Sequence, residues 1–480
     1  MSDQVPLVEE LTPVPDPLEA CARLAGWPGL IFLDSAGDRS ARGRFSFLTA
    51  DPVAMVRSRR GTVELRLQAG SWTQARSDDP LAVARGLFGS PECEPCPGLP
   101  PFQGGVAGYI GYEWGAALEG VRAARLNDLD LPDAVLGCYD WVLAWDHGAD
   151  RAWIVATGLP GEPEGRLRRA AARVRGVRAR LALPPRAGPP RVQDTGVPIA
   201  DSHPVPALGP STRSTFTRDR YLTAVGRVVE HICAGDIFQA NLSQRFQAPL
   251  VGSPFEFYGR LRARNPAPFS AYLAFEDAVV ASASPERFLR LEDRRAEARP
   301  IKGTRPRGRE YAADDALGAE LATSVKDRAE NAMIVDVVRN DLSRVCQPGS
   351  VWVPELFTVE RYATVQHLVS TVVGELNDGC DVPDLLRAAF PSGSVTGAPK
   401  VRAMEIIAEL EPTTRGVYCG AIGYWSLSGA FDASVAIRTC VLRAGRVFFH
   451  AGGGVTAQSD PTREYEETLD KARGIAAALE

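Results

Sequence analysis

What most limits the fold of this chain is its punctuation. Short β-branched and aromatic runs recur between clusters of Gly, Asp and Pro, and blocks of helical periodicity interrupt them. GLIFLDS (29–35), GRFSFLTA (43–50), AMVRSR (54–59), TVELRL (62–67) and WVLAWD (141–146) read as strands. PFQGGVAGYIGYE (101–113) fits a loop and strand where backbones approach closely, because only glycine lacks a Cβ. EGRLRRAAARVRGVRARLALP (164–184) has helical spacing and a basic face. The second half opens with a helix, RDRYLTAVGRVVEHICAGD, closed by Gly235. The strand IFQANLSQRFQA follows, then a helix, FEFYGRLRARNP, stopped at Asn265-Pro266. Three strand-like runs come next: SAYLAFED, AVVASASPERFLRLE and RRAEARPI. Two helical stretches follow: residues 314–345, breaking near Thr323, and APKVRAMEIIAELE. The end is strand-rich and closes with the helix REYEETLDKARGIAAALE. Strand hairpins alternating with helix blocks predict an α+β fold, an antiparallel β-sandwich with helices outside.

Residues 183–212 are proline-rich and without period, which divides the sequence into 1–182, a linker, and 213–480. With a net charge of −5 the chain shows no electrostatic preference for nucleic acid or for an anionic membrane. No apolar run approaches the roughly 20 residues of a membrane helix, and the acidic, proline-containing N-terminus is no secretory signal. Nine scattered cysteines, an odd number, suit free thiols in a reducing cytoplasm. Cys93 and Cys96 have metal-like spacing, but no second pair or histidine follows nearby, so they read as a proline-rich loop.

The chemistry concentrates around ARPIKGTRPRGRE (298–310). Lys302 stands where a β-rich run ends in Pro-Ile and a Gly-Thr turn begins, and Arg305, Arg307 and Arg309 suit an anionic substrate. RFLRLE and RRAEARP read as a hairpin turning at Asp293-Arg294. A two-residue turn puts Glu286 opposite Ile301; a three-residue turn puts it opposite Lys302. Directly opposed Cβ atoms are roughly 5 Å apart, so an acid and an amine meet at the open end, as a structural ion pair or as a catalytic one. A lysine of ordinary pKa is about one part in a thousand neutral near pH 7.4, a deficit of roughly 4 kcal/mol. Burial or a nearby cation lowers that cost, while an ionised Glu286 raises it. Glu286 is therefore cast as a protonated acid aimed at a leaving hydroxyl.

Glu330 shares a helical stripe with Met333, Ile334 and Val337, with Asp327 one turn earlier. Glu464 and Glu467 are likewise i, i+3 near the start of the last helix. Two such faces meeting in space repel unless a hard cation such as Mg²⁺ bridges them; apart, they are solvated surfaces. Gly452, Gly453 and Gly454 follow the strand RVFFHA and let backbone N–H groups approach an anion, which Arg438 on a neighbouring strand also reaches. PSGSVTGAPK (391–400) lacks the Gly-Lys-Ser/Thr order of a phosphate loop. His367 reads as a core histidine or a catalyst.

In order along the chain, GDIFQANLSQRF, RNPAPFSAYL, SASPERF, PIKGTRPRG, KDRAENAMIVDVVRNDLSRV, VQHLVST, FPSGSVTGAPKVRAMEII, RGVYCGAIGY, SVAIRT and DPTREYEET resemble the chorismate-utilising enzymes. FLDS and PFQGGVAGYIGYE extend the resemblance into the first half. It implies the fold of anthranilate synthase component I. PIKGT is similar to the pattern of aminodeoxychorismate synthase large subunits, whereas anthranilate synthases usually carry Ala where Lys302 stands. Isochorismate and salicylate synthases use a water-activating lysine where this chain has Gln239, which cannot be that base.

The resemblance implies that Lys302 attacks carbon 2 of chorismate, Glu286 assists departure of the carbon 4 hydroxyl, and His367 belongs to the active site. It implies Mg²⁺ on Glu330 and Glu467, with Asp327 and Glu464 in support. Gly303, Thr304, Tyr418, Arg438 and Gly452 to Gly454 match chorismate-binding positions. Ser35, Pro268, Phe269 and Ser270 match a tryptophan pocket. GGGVTAQSDP departs from the usual Gly-Ile-Val-Ala-Asp-Ser pattern, which leaves a backbone role intact. No cysteine lies in a Gly-x-Cys-x-Gly elbow, so the ammonia is expected from a separate glutamine amidotransferase. The product expected is 4-amino-4-deoxychorismate, on the route to 4-aminobenzoate and folate. Two alternatives stay open: anthranilate synthase component I, and a catalytically silent chorismate-binding regulatory subunit.

Overall fold

The structure, a computed structural model, describes residues 6–36, 43–68, 70–87, 95–161, 164–185, 200–308, 310–362 and 365–480. Cys93, Arg309 and residues 186–199 of the proline-rich stretch lie outside the described residues.

Among the described residues two large antiparallel sheets carry the fold, of 13 and 12 strands. Both draw strands from either side of the proline-rich stretch. In the larger sheet Leu30–Asp34 pairs with Phe269–Ala274, and in the smaller Gly105–Ile110 pairs with Ala421–Ser426. The layers follow from strand alternation. Trp141, Leu143 and Trp145 pack toward the outer helices Pro17–Leu24 and Arg166–Leu181, while Val142 and Ala144 point between the sheets. Both faces are covered, which is why WVLAWD is apolar almost throughout. The two buried indoles keep their polar ends satisfied: Trp141 Nε1 donates to Ala50 O and Trp145 Nε1 to Pro15 O, both at 2.8 Å. Helices Val325–Ser343 and Val382–Ala389 cover the outer face of the smaller sheet. The fold is the helix-flanked α+β sandwich expected from the sequence.

Two local differences decide where the site forms. AVVASASPERFLRLE is not one strand: Val279–Ser284 belongs to the larger sheet and Arg287–Glu292 to the smaller. The chain crosses between sheets at Pro285-Glu286, so Glu286 sits at the seam. RRAEARPI also divides. Glu292 pairs with Arg295 across a two-residue turn, with Asp293 and Arg294 at φ 47° and 66°. After Ala298 a second strand, Ile301–Pro306, runs through the predicted Gly-Thr turn; both it and Arg295–Ala298 pair with Val365–Glu375. A register shift between Ile301 and Thr304, with Gly303 at φ 81°, re-aims Lys302.

Candidate active site

Lys302 and Glu286 meet at one residue. The Lys302 amine donates to the backbone oxygen of Ser394 at 3.1 Å. The Ser394 side chain and the Ile301 backbone both favour the charged form of the Glu286 carboxyl. Ser394 is buried in the short turn Gly393–Val395 of the segment PSGSVTGAPK. Its role was missed in the sequence, where the only signal was that this run of small residues fits no phosphate loop.

The electrostatics of the pair are opposite. Glu286 is 4% exposed, and desolvation pushes its carboxyl up to about 7 against the Ser394 hydrogen bond, the Lys302 charge and the Ile301 backbone bond. Desolvation also dominates at Lys302 and lowers its amine; Glu330, Glu286 and Glu467 oppose the shift, and the Lys471 charge assists it. The pair thus approaches the protonation states a nucleophile and an acid need, a neutral amine and a neutral carboxyl.

The acids converge from two helices. Glu330 lies on Val325–Ser343, and Glu464 and Glu467 on Pro461–Ala476. Burial, then the charges of Asp327 and Glu467, push Glu330 up, while Lys302 and Lys326 pull it down. Glu464 is raised by burial and by Glu467, and its carboxylate accepts from Ser459 Oγ at 2.6 Å. At Glu467 burial is outweighed by Lys471, Lys326 and Lys302, leaving it lowered. Gly453 faces these acids: a Cβ there would lie 3.1 Å from Glu464 Oε2 and 3.2 Å from Glu467 Oε1. Among the described residues no group of three or more His, Cys, Asp or Glu is gathered to hold a metal. Mg²⁺ seldom takes an all-protein cage and is usually bound by one or two carboxylates with substrate oxygens and water, so the donor chemistry of Glu330 and Glu467 suits it. Lys471, also missed in the sequence, bridges Glu467 Oε1 at 2.7 Å and the Gly452 carbonyl at 2.8 Å. Its i, i+4 spacing from Glu467 was the available signal.

Gly452 to Gly454 lie on the strand Arg446–Val455, which pairs with Gln239–Pro249 along its length but with Thr439–Arg443 only as far as Phe449. Among the described residues their other edge has no strand partner. A side chain here would have to displace a neighbour: a Cβ on Gly454 would sit 2.1 Å from Gln239 Nε2 and 3.5 Å from the Lys302 amine. Tyr418 stacks on His450 with centroids 4.8 Å apart. Beneath it the buried Arg415–Glu411 pair, at 2.7 Å, also ties Asn241 O and Val395 O. Burial lowers the Arg438 guanidinium. His367 is buried on Val365–Glu375, with Nδ1 2.9 Å from Thr304 Oγ1.

The arginines after Lys302 are a correction. Arg305 pairs with Glu320 and Asp327, each at 3.1 Å, and Arg307 binds Asp314 through two bonds of 2.7 and 2.8 Å. The Arg307 bonds hold the Asp314 carboxyl down at about 2. Successive strand residues alternate faces, and the helix Tyr311–Thr323 supplies acids to these two. They anchor that helix.

Ser35, Pro268, Phe269 and Ser270 share a cavity of about 310 Å³ between the sheets, apart from Lys302. Ser35 Oγ donates to Phe45 O at 2.6 Å, and Phe47, Tyr424 and Phe431 add aromatic walls. Arg287 and Asp432, paired at 2.9 Å, line one side. No described helix is long and apolar enough to cross a membrane.

Residues 31–477 match the model of the chorismate binding enzyme family. The chain is 41% identical to "Aminodeoxychorismate synthase component 1" of Salmonella typhimurium, covering 94% of this chain and 93% of the relative. It is 37% identical to "Anthranilate synthase component 1" of Pseudomonas putida, covering 99% and 95%. The crystal structure of anthranilate synthase component I from Streptococcus pneumoniae superposes with a TM-score of 0.75 at 30% identity, covering 90% of this chain and 92% of that one. The chain belongs to the chorismate-binding enzyme family.

Proposed function

We propose that this chorismate-binding enzyme is the aminating component of an aminodeoxychorismate synthase, converting chorismate and ammonia to 4-amino-4-deoxychorismate and water. The observation that carries the reading is the contact of Lys302 and Glu286 with opposite ends of Ser394, the amine pushed down and the acid pushed up. The names of the 37–41% identical relatives support it.

In this reading the Lys302 lone pair forms a bond to carbon 2 and both conjugated ring double bonds shift toward carbon 4. The carbon 4–oxygen bond breaks, and oxygen leaves as water with the Glu286 proton. Ammonia then bonds to carbon 4, the double bonds shift back, and the carbon 2–nitrogen bond breaks, returning its electron pair to Lys302; the new ammonium gives a proton back to Glu286. Arg438 and the open edge at Gly452 to Gly454 bind carboxylate, Tyr418 and Thr304 line the substrate, and His367 is oriented by Thr304. Glu330 and Glu467 would hold Mg²⁺, with Asp327 and Glu464 in support, and the ion would supply positive charge to the anionic substrate. Ammonia comes from glutamine through a partner amidotransferase, the product feeds 4-aminobenzoate and folate, the inter-sheet cavity takes tryptophan, and the enzyme is cytoplasmic.

The test is incubation with chorismate, Mg²⁺ and ammonium, with and without an added lyase. The expected product becomes 4-aminobenzoate only after the lyase is added, and the Lys302→Ala variant still binds chorismate by calorimetry but makes none of it. Anthranilate fluorescence with pyruvate release, or an unchanged product from Lys302→Ala, overturns the reading.

A further inference from the structure

Ser394 can place an acid and an amine only if its own turn is fixed. Residues 390–399 leave the helix Val382–Ala389 and return at the helix Lys400–Leu410. The base of this excursion is closed by one side chain: Lys400 Nζ donates to Ala389 O at 3.0 Å and to Asp341 Oδ2 at 2.8 Å. The pair is largely enclosed, with side-chain exposures of 11% for Lys400 and 6% for Asp341. Asp341 lies eleven residues after Glu330 on the same helix, three turns on and so on the same face. That helix also packs directly on the turn, since a Cβ on Gly393 would lie 2.8 Å from Val337 Cγ1. A cavity of about 10 Å³, room for about one water, is lined by Glu286, Asp341, Ser392 and Gly393.

We propose that the Asp341–Lys400 pair is a positioning element, which fixes the Ser394 turn and through it sets how Glu286 and Lys302 face each other. This deepens the reading above and rests on it. Enclosed ion pairs are weak devices for stability, because well-packed apolar residues of like volume usually serve as well. What an apolar pair cannot do is hold two strands of a loop and a helix in one hydrogen-bonded geometry. The charges facing the pair are Arg344 and Glu119; Glu286 meets the Lys302 charge and shares the small cavity with Arg287 and Asp341. Arg415 holds the far side of the turn through Val395 O at 2.9 Å, so losing Lys400 loosens the turn without releasing it.

The test is the apolar double variant Asp341→Leu/Lys400→Met, compared with Ser394→Ala and with the triple variant. The double variant is expected to keep wild-type unfolding behaviour while kcat falls at least about tenfold and KM stays within about twofold, the signature of misplacement. The triple variant should be no slower than Ser394→Ala, because both changes act through one contact. The Glu286 carboxyl, followed by carbon-13 NMR and assigned with Glu286→Gln, should titrate at higher pH once its Ser394 bond is loosened. If the apolar pair does not fold, Asp341→Asn takes its place with the same expectations. Wild-type kcat in the folded apolar variant, multiplying effects in the triple variant, or an unmoved Glu286 titration each overturn the proposal. A wild-type chain that does not aminate chorismate overturns the function instead, and the NMR titration still decides the positioning role.

Discussion

Replacing Glu286 by Gln should stabilise the protein at alkaline pH and do little at acid pH. Glu286 is 4% exposed, and desolvation raises its carboxyl from an ordinary 4.5 to about 7. A raised carboxyl folds at no penalty while protonated in both states, below about 4.5. The penalty grows as the unfolded chain ionises and the folded one resists, and it is complete above about 7. At 1.36 kcal/mol per pKa unit the full span of about 2.5 units is worth about 3.4 kcal/mol. At pH 5 about 0.8 kcal/mol is already present, and at pH 8 about 3.3, so the difference is about 2.5 kcal/mol. Gln cannot ionise and escapes this term. Urea unfolding of both proteins at pH 5 and pH 8, followed by tryptophan fluorescence, should show the advantage of Glu286→Gln growing by about that amount. The more stable variant should also be the less active, since the proton has been removed from the chemistry. An advantage that stays constant with pH would refute the reasoning, because the carboxyl would then not be desolvated by folding.

The same group sets the pH profile. Because the acid must be protonated while Lys302 must be neutral, kcat/KM should stop rising above about 7 in the wild type, where the loss of the Glu286 proton offsets the gain of free amine. A rate that keeps rising about tenfold per pH unit from pH 7 to pH 8 would show that another group donates the proton. Asp128 accepts from Arg245 at 2.7 and 2.5 Å, with both side chains 1% exposed. Asp128→Asn leaves a buried cation unpaired and should cost about 3–5 kcal/mol in urea unfolding. Gly454→Ala puts a Cβ 2.1 Å from Gln239 Nε2, the movable end of a side chain, and 3.5 Å from the Lys302 amine. It should fold, with kcat reduced at least about tenfold; unchanged turnover would mean that this edge is not where the substrate lies.

Much of this protein is written locally. Period and turn chemistry suffice for most strands, for the two-residue turn at Asp293-Arg294 and for the break after Thr323, where the structure ends one helix and begins the next at Val325. Lys302, Glu286, Glu330 and Glu467 are visible as residues too, because a carboxylate on an apolar stripe and a lone amine among arginines are costly unless used. What the sequence could not supply were the relations between distant segments. The Pro285-Glu286 crossing depends on which sheet each half of one strand-like run joins, and apolar alternation is alike in both. Ser394 has no distinguishing chemistry; it matters because the 391–400 segment is brought against Lys302 and Glu286 from about ninety residues away. Arg305 and Arg307 looked like substrate ligands until a neighbouring helix supplied their acids. The sequence by itself determined the inventory and the local geometry, since backbone propensity and burial cost act residue by residue. Only the tertiary structure decided which charges are paired and which are desolvated, because proton affinity depends on what is within a few ångströms in space, and chain order does not carry that.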